Sequence, residues 1–193
     1  ICPSRGLGDV YKRQELFKKG DIVEDLRPNI YDPVEGTTIA DAEVERLPRK
    51  TKLVDVRWTC EDGTELVIST TRPELICACG VVVVHPDDDR YRHLIGQRVS
   101  LPLDTKGRTT TVEVQQHPSV KSEFGTGVLM VCSFGDQNDV AVFRELGLAP
   151  FQAIDLEGKM TEVSGPLHGL TVMEARAVAI ELLETEGRLV QAV

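Results

Sequence analysis

The sequence predicts an α+β domain in which short strands close into a barrel with short flanking helices. Three observations predict it. Six β-rich runs, KLVDVRW, ELVIST, GVVVVH, VSLPL, TTTVEVQ and GVLMVC, succeed one another between Lys52 and Cys132 with turn residues between them, a density that fits a barrel better than a doubly wound sheet. GVVVVH, at 80–85, is a continuous β-branched run typical of a strand buried on both faces. Helical apolar spacing is confined to two short stretches after these strands.

Taken in order, the first fourteen residues, ICPSRGLGDVYKRQ, carry no period and fit nothing downstream. The stretch SRGLGDVYKRQ resembles translated adaptor sequence, and no methionine opens the chain, so residues 1–14 are expected to be an artefact and the remainder a piece of a longer protein. Residues 15–49 read as a helix end stopped at Gly20, with Lys18 and Lys19 placed against the dipole, followed by a turn-rich linking ribbon. The compact domain is expected over 50–193. Asp62-Gly63 marks a hairpin between its first two strands. A helix is expected from Asp136 to Leu146, opened by an Asp-x-x-Asp pattern resembling a capping box and closed at Gly147. A second is expected where Val172, Ala175, Ala179, Leu182 and Leu183 keep helical spacing before Gly187.

The chain has 193 residues, 41% hydrophobic and only 5% aromatic, enough for one core built mainly from Val, Leu, Ile and Ala. No apolar run reaches membrane-spanning length, and no charged-then-apolar leader is visible, so a cytoplasmic setting is expected. Five cysteines, an odd and irregularly spaced set, argue against a disulfide framework. The net charge of -9 opposes indiscriminate binding to nucleic acid, although a local basic patch or other domains could still grip an RNA.

Two segments could carry chemistry. STTRPE, Ser69 to Glu74, ends a strand with three hydroxyls able to hold a water and a sugar hydroxyl, followed by an arginine able to pair with carboxylate or phosphate. Composition alone favours an ordinary strand end rich in β-forming threonine. In GTGVLMVCSFGDQND, Gly125 and Gly127 allow close approach of a ligand or another backbone, and Asp136 and Asp139 enter the first turn of a helix. A carboxylate there could hold an ammonium, but acidic residues cap helices without any ligand. Cys77, Cys79 and His85 lack metal-ligand spacing; alternation would set the two cysteines on one face of an extended segment. Asp87-Asp88-Asp89-Arg90 reads as a solvated turn, and His117 as a turn residue.

Read together, STTRPEL, VVVVHPDDDRYRHLIGQRV, HPSVKSEFGTG, FGDQND and AIDLEGKMTE form an ordered series. The series resembles the editing (first connective polypeptide) domain of valyl-tRNA synthetases, most closely their archaeal-type members, over residues 15 to 193. Isoleucyl-type domains typically carry Thr-Pro-Trp-Thr where this chain has Thr71 to Glu74, and a histidine where Met130 stands. Leucyl-type domains share Thr-Arg-Pro but lack the HPDDDRY run.

The resemblance implies hydrolysis of threonine esterified to the 3′ acceptor end of valine tRNA, a task that arises because an apolar synthetic site rejects threonine only by about 10²-fold. It implies that Asp139 holds the substrate's α-ammonium and that Thr70 and Thr71 wall the scissile ester. Arg72, Glu74, Phe124, Gly125, Thr126, Gly127, Met130, Cys132 and Asp136 are implied to line the pocket. Met130, Cys132 and Leu75 stand where bacterial members have lysine, threonine and threonine, and are read as archaeal-type character. Asp32 and Glu35 replace a Cys-x-x-Cys of some relatives, so zinc is not expected there. Editing implies no cofactor, whereas the parent enzyme is expected to use ATP and Mg, with tRNA and the rest of the synthetase as partners. Asp139 is expected to be an exposed carboxylate whose replacement by alanine spares the fold. The alternatives are an isoleucyl-type editing domain, a non-hydrolytic insert that binds the acceptor end, and a metal-dependent hydrolase using Cys77, Cys79 and His85.

Overall fold

A computed structural model describes residues 4–24, 28–45, 47, 48, 50–103 and 110–192. Helix α1, Ser4–Lys19, ends with Lys18 and Lys19 in its last turn and breaks at Gly20, whose φ of 79° leaves the right-handed region. Its first eleven residues belong to the segment expected to be an artefact; in the structure they continue into residues 15–19 without a break. Strands β1, Ile30–Asp32, and β2, Thr37–Ile39, then pair antiparallel as a small ribbon. Asp32 shapes its turn by accepting from the amides of Val34 and Glu35 through Oδ1.

Seven strands among the described residues form one mixed sheet. They are β3 (Val54–Cys60), β4 (Glu65–Thr70), β5 (Cys79–Val84), β6 (Arg98–Ser100), β7 (Thr111–Gln116), β8 (Val128–Cys132) and β9 (Leu189–Ala192). Their order is β4-β3-β6-β7-β5-β8, with β9 also on β3 and the two ends, β4 and β8, lying against each other, so the sheet nearly closes. The β3–β4 hairpin turns at Gly63, with φ of 86°, as the Asp-Gly signal requires. β5 lies between β7, parallel, and β8, antiparallel.

That central position explains the VVVV run. Val82 and Val84 enter the main core with Trp58, Ile68 and Met130. Val81 and Val83 face the other way, into a smaller core with Phe143. Phe143 comes from α2, Gln137–Glu145, which opens on Asp136 and closes before Gly147. The ring of Phe143 lies so close to Gly80 that a Cβ there would stand 2.5 Å from Cζ. α3, Val172–Thr185, buries Ala175, Ala179 and Leu183 and carries a full capping box between Thr171 and Glu174.

Candidate functional site

Where β4 leaves the barrel wall, Thr70 Oγ1 accepts from the Arg72 amide at 3.0 Å, turning the chain sharply into a 3₁₀ segment, Pro73–Ala78. Proline at the head of that segment fits, since its missing N–H has no partner to lose there. The turn drops Glu74 into the interior, where it has no exposed surface. Its carboxylate is gripped by Arg176 of α3, at 3.0 and 2.8 Å, and by Arg72 Nε at 3.4 Å. Arg72, thus anchored at Nε, donates from Nη1 to the Gly135 carbonyl at 2.8 Å. Thr71 stays half-buried at the turn.

The second half of the site forms at the start of α2. Asp136 caps the helix by accepting from the Asp139 amide at 2.9 Å. The reciprocal half of a capping box does not form. Asp139 instead turns inward, and its Oδ2 accepts from the Cys132 amide at 3.1 Å. Asp139 is 9% exposed, not the exposed carboxylate expected, because the side chain from N3 reaches back over the end of β8. Gly135 makes this possible, since the Asp139 carboxylate fills the space that a Cβ at Gly135 would need. Desolvation pushes the Asp139 carboxyl up to about 7, with the charge of Asp136 adding to the rise, while the Cys132 amide, Arg72 and the Gly135 amide pull the other way. A cation docking beside it would therefore recover a large part of the cost of ionising it.

The loop 121–127 packs against the end of β4. Gly125, with φ of 58°, passes so close to β4 that a Cβ would stand 2.7 Å from Ser69 Oγ. Ser69 is held in turn by Asp55. Phe124 lies next to this crossing with 62% of its surface exposed. Gly127, with φ of 80°, returns the chain to β8. The Thr126 hydroxyl is buried and has no hydrogen-bond partner among the described residues.

Arg72 stands between two open clefts. One, of about 370 Å³, is lined by Leu75, Ser133, Phe134, Phe151 and Ala153 besides Arg72. The other, of about 780 Å³, lies between the ribbon and the head of α2, with Ile30, Tyr31, Gly135, Asp136 and Arg144 on its walls. Asp139, Thr70, Thr71 and Phe124 are not among the residues lining either cleft, and neither are Met130 and Cys132. Both are buried in the barrel core, and the Cys132 thiol lies 3.4 Å from the Leu75 carbonyl. Burial drives that thiol well above its usual range, with Cys79, Asp139 and Cys77 adding to the rise, so it stays protonated. Glu74 is likewise buried away from both clefts, but it holds Arg72, which lines both.

The cysteine pattern resolves differently from the alternating arrangement expected. Cys77 lies in the 3₁₀ turn and Cys79 opens β5, because the chain coils after Pro73 instead of extending. His85 follows the far end of β5, a strand's length from Cys79. Among the described residues no three His, Cys, Asp or Glu side chains converge as on a metal ion. The segment 87–90 is no solvated turn throughout: Asp88 is 9% exposed and accepts four hydrogen bonds from Arg90, one from its amide and three from its guanidinium. His117 is buried rather than a plain turn residue, held by Ser119 at 2.6 Å and Glu145 at 3.1 Å. Gly135 and Arg176 escaped the sequence reading. Arg176 lies 102 positions from Glu74, with no local signal to link them.

No protein-family model matches the chain. Curated relatives do. It is 43% identical over 178 residues to the valine–tRNA ligase of Aeropyrum pernix, covering 92% of this chain and 21% of that one. It is 44% identical over 182 residues to that of Methanopyrus kandleri, covering 92% and 20%. The chain thus spans about a fifth of the length of these relatives. Among solved structures, the leucyl-tRNA synthetase of Agrobacterium radiobacter K84, in ternary complex with tRNA and LeuAMS, matches 74% of the chain at TM-score 0.55 and 20% identity, over 20% of its own length. The CP1 domain of a leucyl-tRNA synthetase, GlLeuRS, matches 67% at TM-score 0.54 and 13% identity, over 83% of its own length. Their likeness establishes the fold, and the relatives establish the sequence group: the chain is related in sequence to about a fifth of the length of the valyl-tRNA synthetases and has the fold of a synthetase CP1 domain.

Proposed function

We propose that this domain hydrolyses the ester joining threonine to the 3′ end of valine tRNA. The observation that carries the proposal is Asp139, a desolvated carboxyl at the head of α2 with Arg72 beside it and open clefts on either side of that arginine. An α-ammonium entering there adds a second cation beside Asp139 and favours its ionised form. Arg72, fixed by Glu74 and Gly135, faces the acceptor end, and Phe124 offers its exposed ring as a stacking surface for the terminal base. Thr70 and Thr71 border the ester.

Water adds to the ester carbonyl, the bond to the 3′ oxygen breaks, and that oxygen takes up the proton as free threonine leaves. A neighbouring ribose hydroxyl assists proton movement, so the pocket contributes mainly positioning and exclusion of bulk water. The reaction as drawn uses no metal. ATP and Mg belong to the synthetic site of the parent enzyme, whose remaining polypeptide supplies most of the grip on tRNA in the cytoplasm. That the related leucyl enzyme was solved with tRNA supports this partner class.

Deacylation of threonyl-tRNA by the parent synthetase, with and without a chelator that spares the pre-charged substrate, tests the proposal. Hydrolysis that survives chelation is expected. Binding of the tRNA without hydrolysis would favour the acceptor-end binding role instead.

A further inference from the structure

The HPDDDRY segment, His85 to Tyr91, is left over by the editing reaction, yet it makes a specific set of contacts. Asp88 and Arg90 pair at 2.9 and 2.6 Å, which lowers the carboxyl and raises the guanidinium. Arg90 Nη2 also donates to the Ser122 carbonyl at 2.9 Å. The next residue, Tyr91, donates its hydroxyl to the Thr126 carbonyl at 2.7 Å. Gly127 completes the fit, since a Cβ there would stand 2.5 Å from Arg90 Nη2 and 2.7 Å from the Ser122 carbonyl. Two consecutive residues therefore tie down the loop on both sides of Phe124, at positions 122 and 126. Between those ties the loop turns on itself through the Phe124 amide to the Lys121 carbonyl and the Gly127 amide to the Phe124 carbonyl.

We propose that Arg90 and Tyr91 are positioning residues that fix the loop 121–127 and so set Phe124 for the terminal base of the tRNA. An exposed aromatic ring on a free loop would lose much of its stacking energy to ordering; two ties from a rigid turn remove that loss in advance. Asp88 serves by presenting the Arg90 guanidinium in the plane that reaches Ser122. The proposal rests on the stacking role given to Phe124 above.

The test uses Tyr91→Phe, which keeps the ring and removes only the tie, and Arg90→Lys, which keeps the charge and loses the fork, in the full-length synthetase. Amide hydrogen exchange across 121–127 reads the loop directly, without RNA. Faster exchange there in both variants is expected, with the barrel strands unchanged. For hydrolysis of threonyl-tRNA, each variant should raise KM about three- to tenfold, as for one lost hydrogen bond, with kcat held. In a Phe124→Ala background the same changes should raise KM no further. Unchanged exchange overturns the proposal, as does a KM effect that adds fully to that of Phe124→Ala. If Phe124→Ala itself leaves KM unaltered, the stacking role fails, and the positioning proposal falls with it even where exchange has quickened.

Discussion

At the scale of single residues, the site turns on where one carboxyl points. The Asp-x-x-Asp pattern made a helix start legible but could not tell a capping carboxylate from one that turns inward, because both occupy N3 of a first turn. Only the third dimension, in which the Cys132 amide at the end of β8 receives the carboxylate and Gly135 leaves room, decides it. Gly135→Ala should therefore displace Asp139 and reduce hydrolysis more than it reduces stability, measured as kcat/KM against the denaturation midpoint. A pH effect follows as well. The Asp139 carboxyl is raised from an ordinary 3.8 to about 7, so the folded protein keeps its proton where the unfolded chain has released it. The stability this confers is complete below about pH 4 and is lost as pH rises through about 7. Urea titrations of the wild type and Asp139→Asn at a series of pH values should show the wild type losing ground to the variant across that window, and level above it. Parallel curves would mean that Asp139 is not desolvated.

At the scale of elements, what the sequence made legible was what neighbours in the chain dictate. Asp62-Gly63 gave the hairpin, Gly147 and Gly187 the helix ends, and the VVVV run a strand buried on both faces. Contacts between distant elements were not legible. Glu74, read as a pocket residue, is the internal anchor between the Pro73–Ala78 turn and α3, held by Arg176. Arg176→Met should destabilise the domain by up to about 3–5 kcal/mol in denaturant titrations, since it strands a buried charge, while adding Glu74→Gln should restore much of the loss. Gly80 plays the matching part between β5 and α2. Gly80→Ala should cost about 1–3 kcal/mol by crowding the buried Phe143 ring, and Phe143→Leu in the same chain should recover part of it. Calorimetry of Gly80→Ala, Phe143→Leu and the double variant would reveal the coupling.

At the scale of the whole molecule, the ordered series of motifs identified the family because sequence order and spacing persist where single signals are weak. Met130 and Cys132 look different once placed: both lie in the barrel core, and neither lines a cleft beside Arg72. Net charge points the same way as domain organisation. At -9 the chain has little general attraction for phosphate, and under the proposed function the rest of the polypeptide brings the acceptor end to the pocket. The central claim is that this pocket proofreads by holding the substrate ammonium at Asp139. Its most direct test is hydrolysis of threonyl- and valyl-tRNA, side by side, by the parent synthetase carrying wild-type or Asp139→Asn sequence. The expected result is rapid release of threonine, slow release of valine, and loss of threonine release in the variant with its fold retained; unchanged threonine release in the variant would contradict the claim.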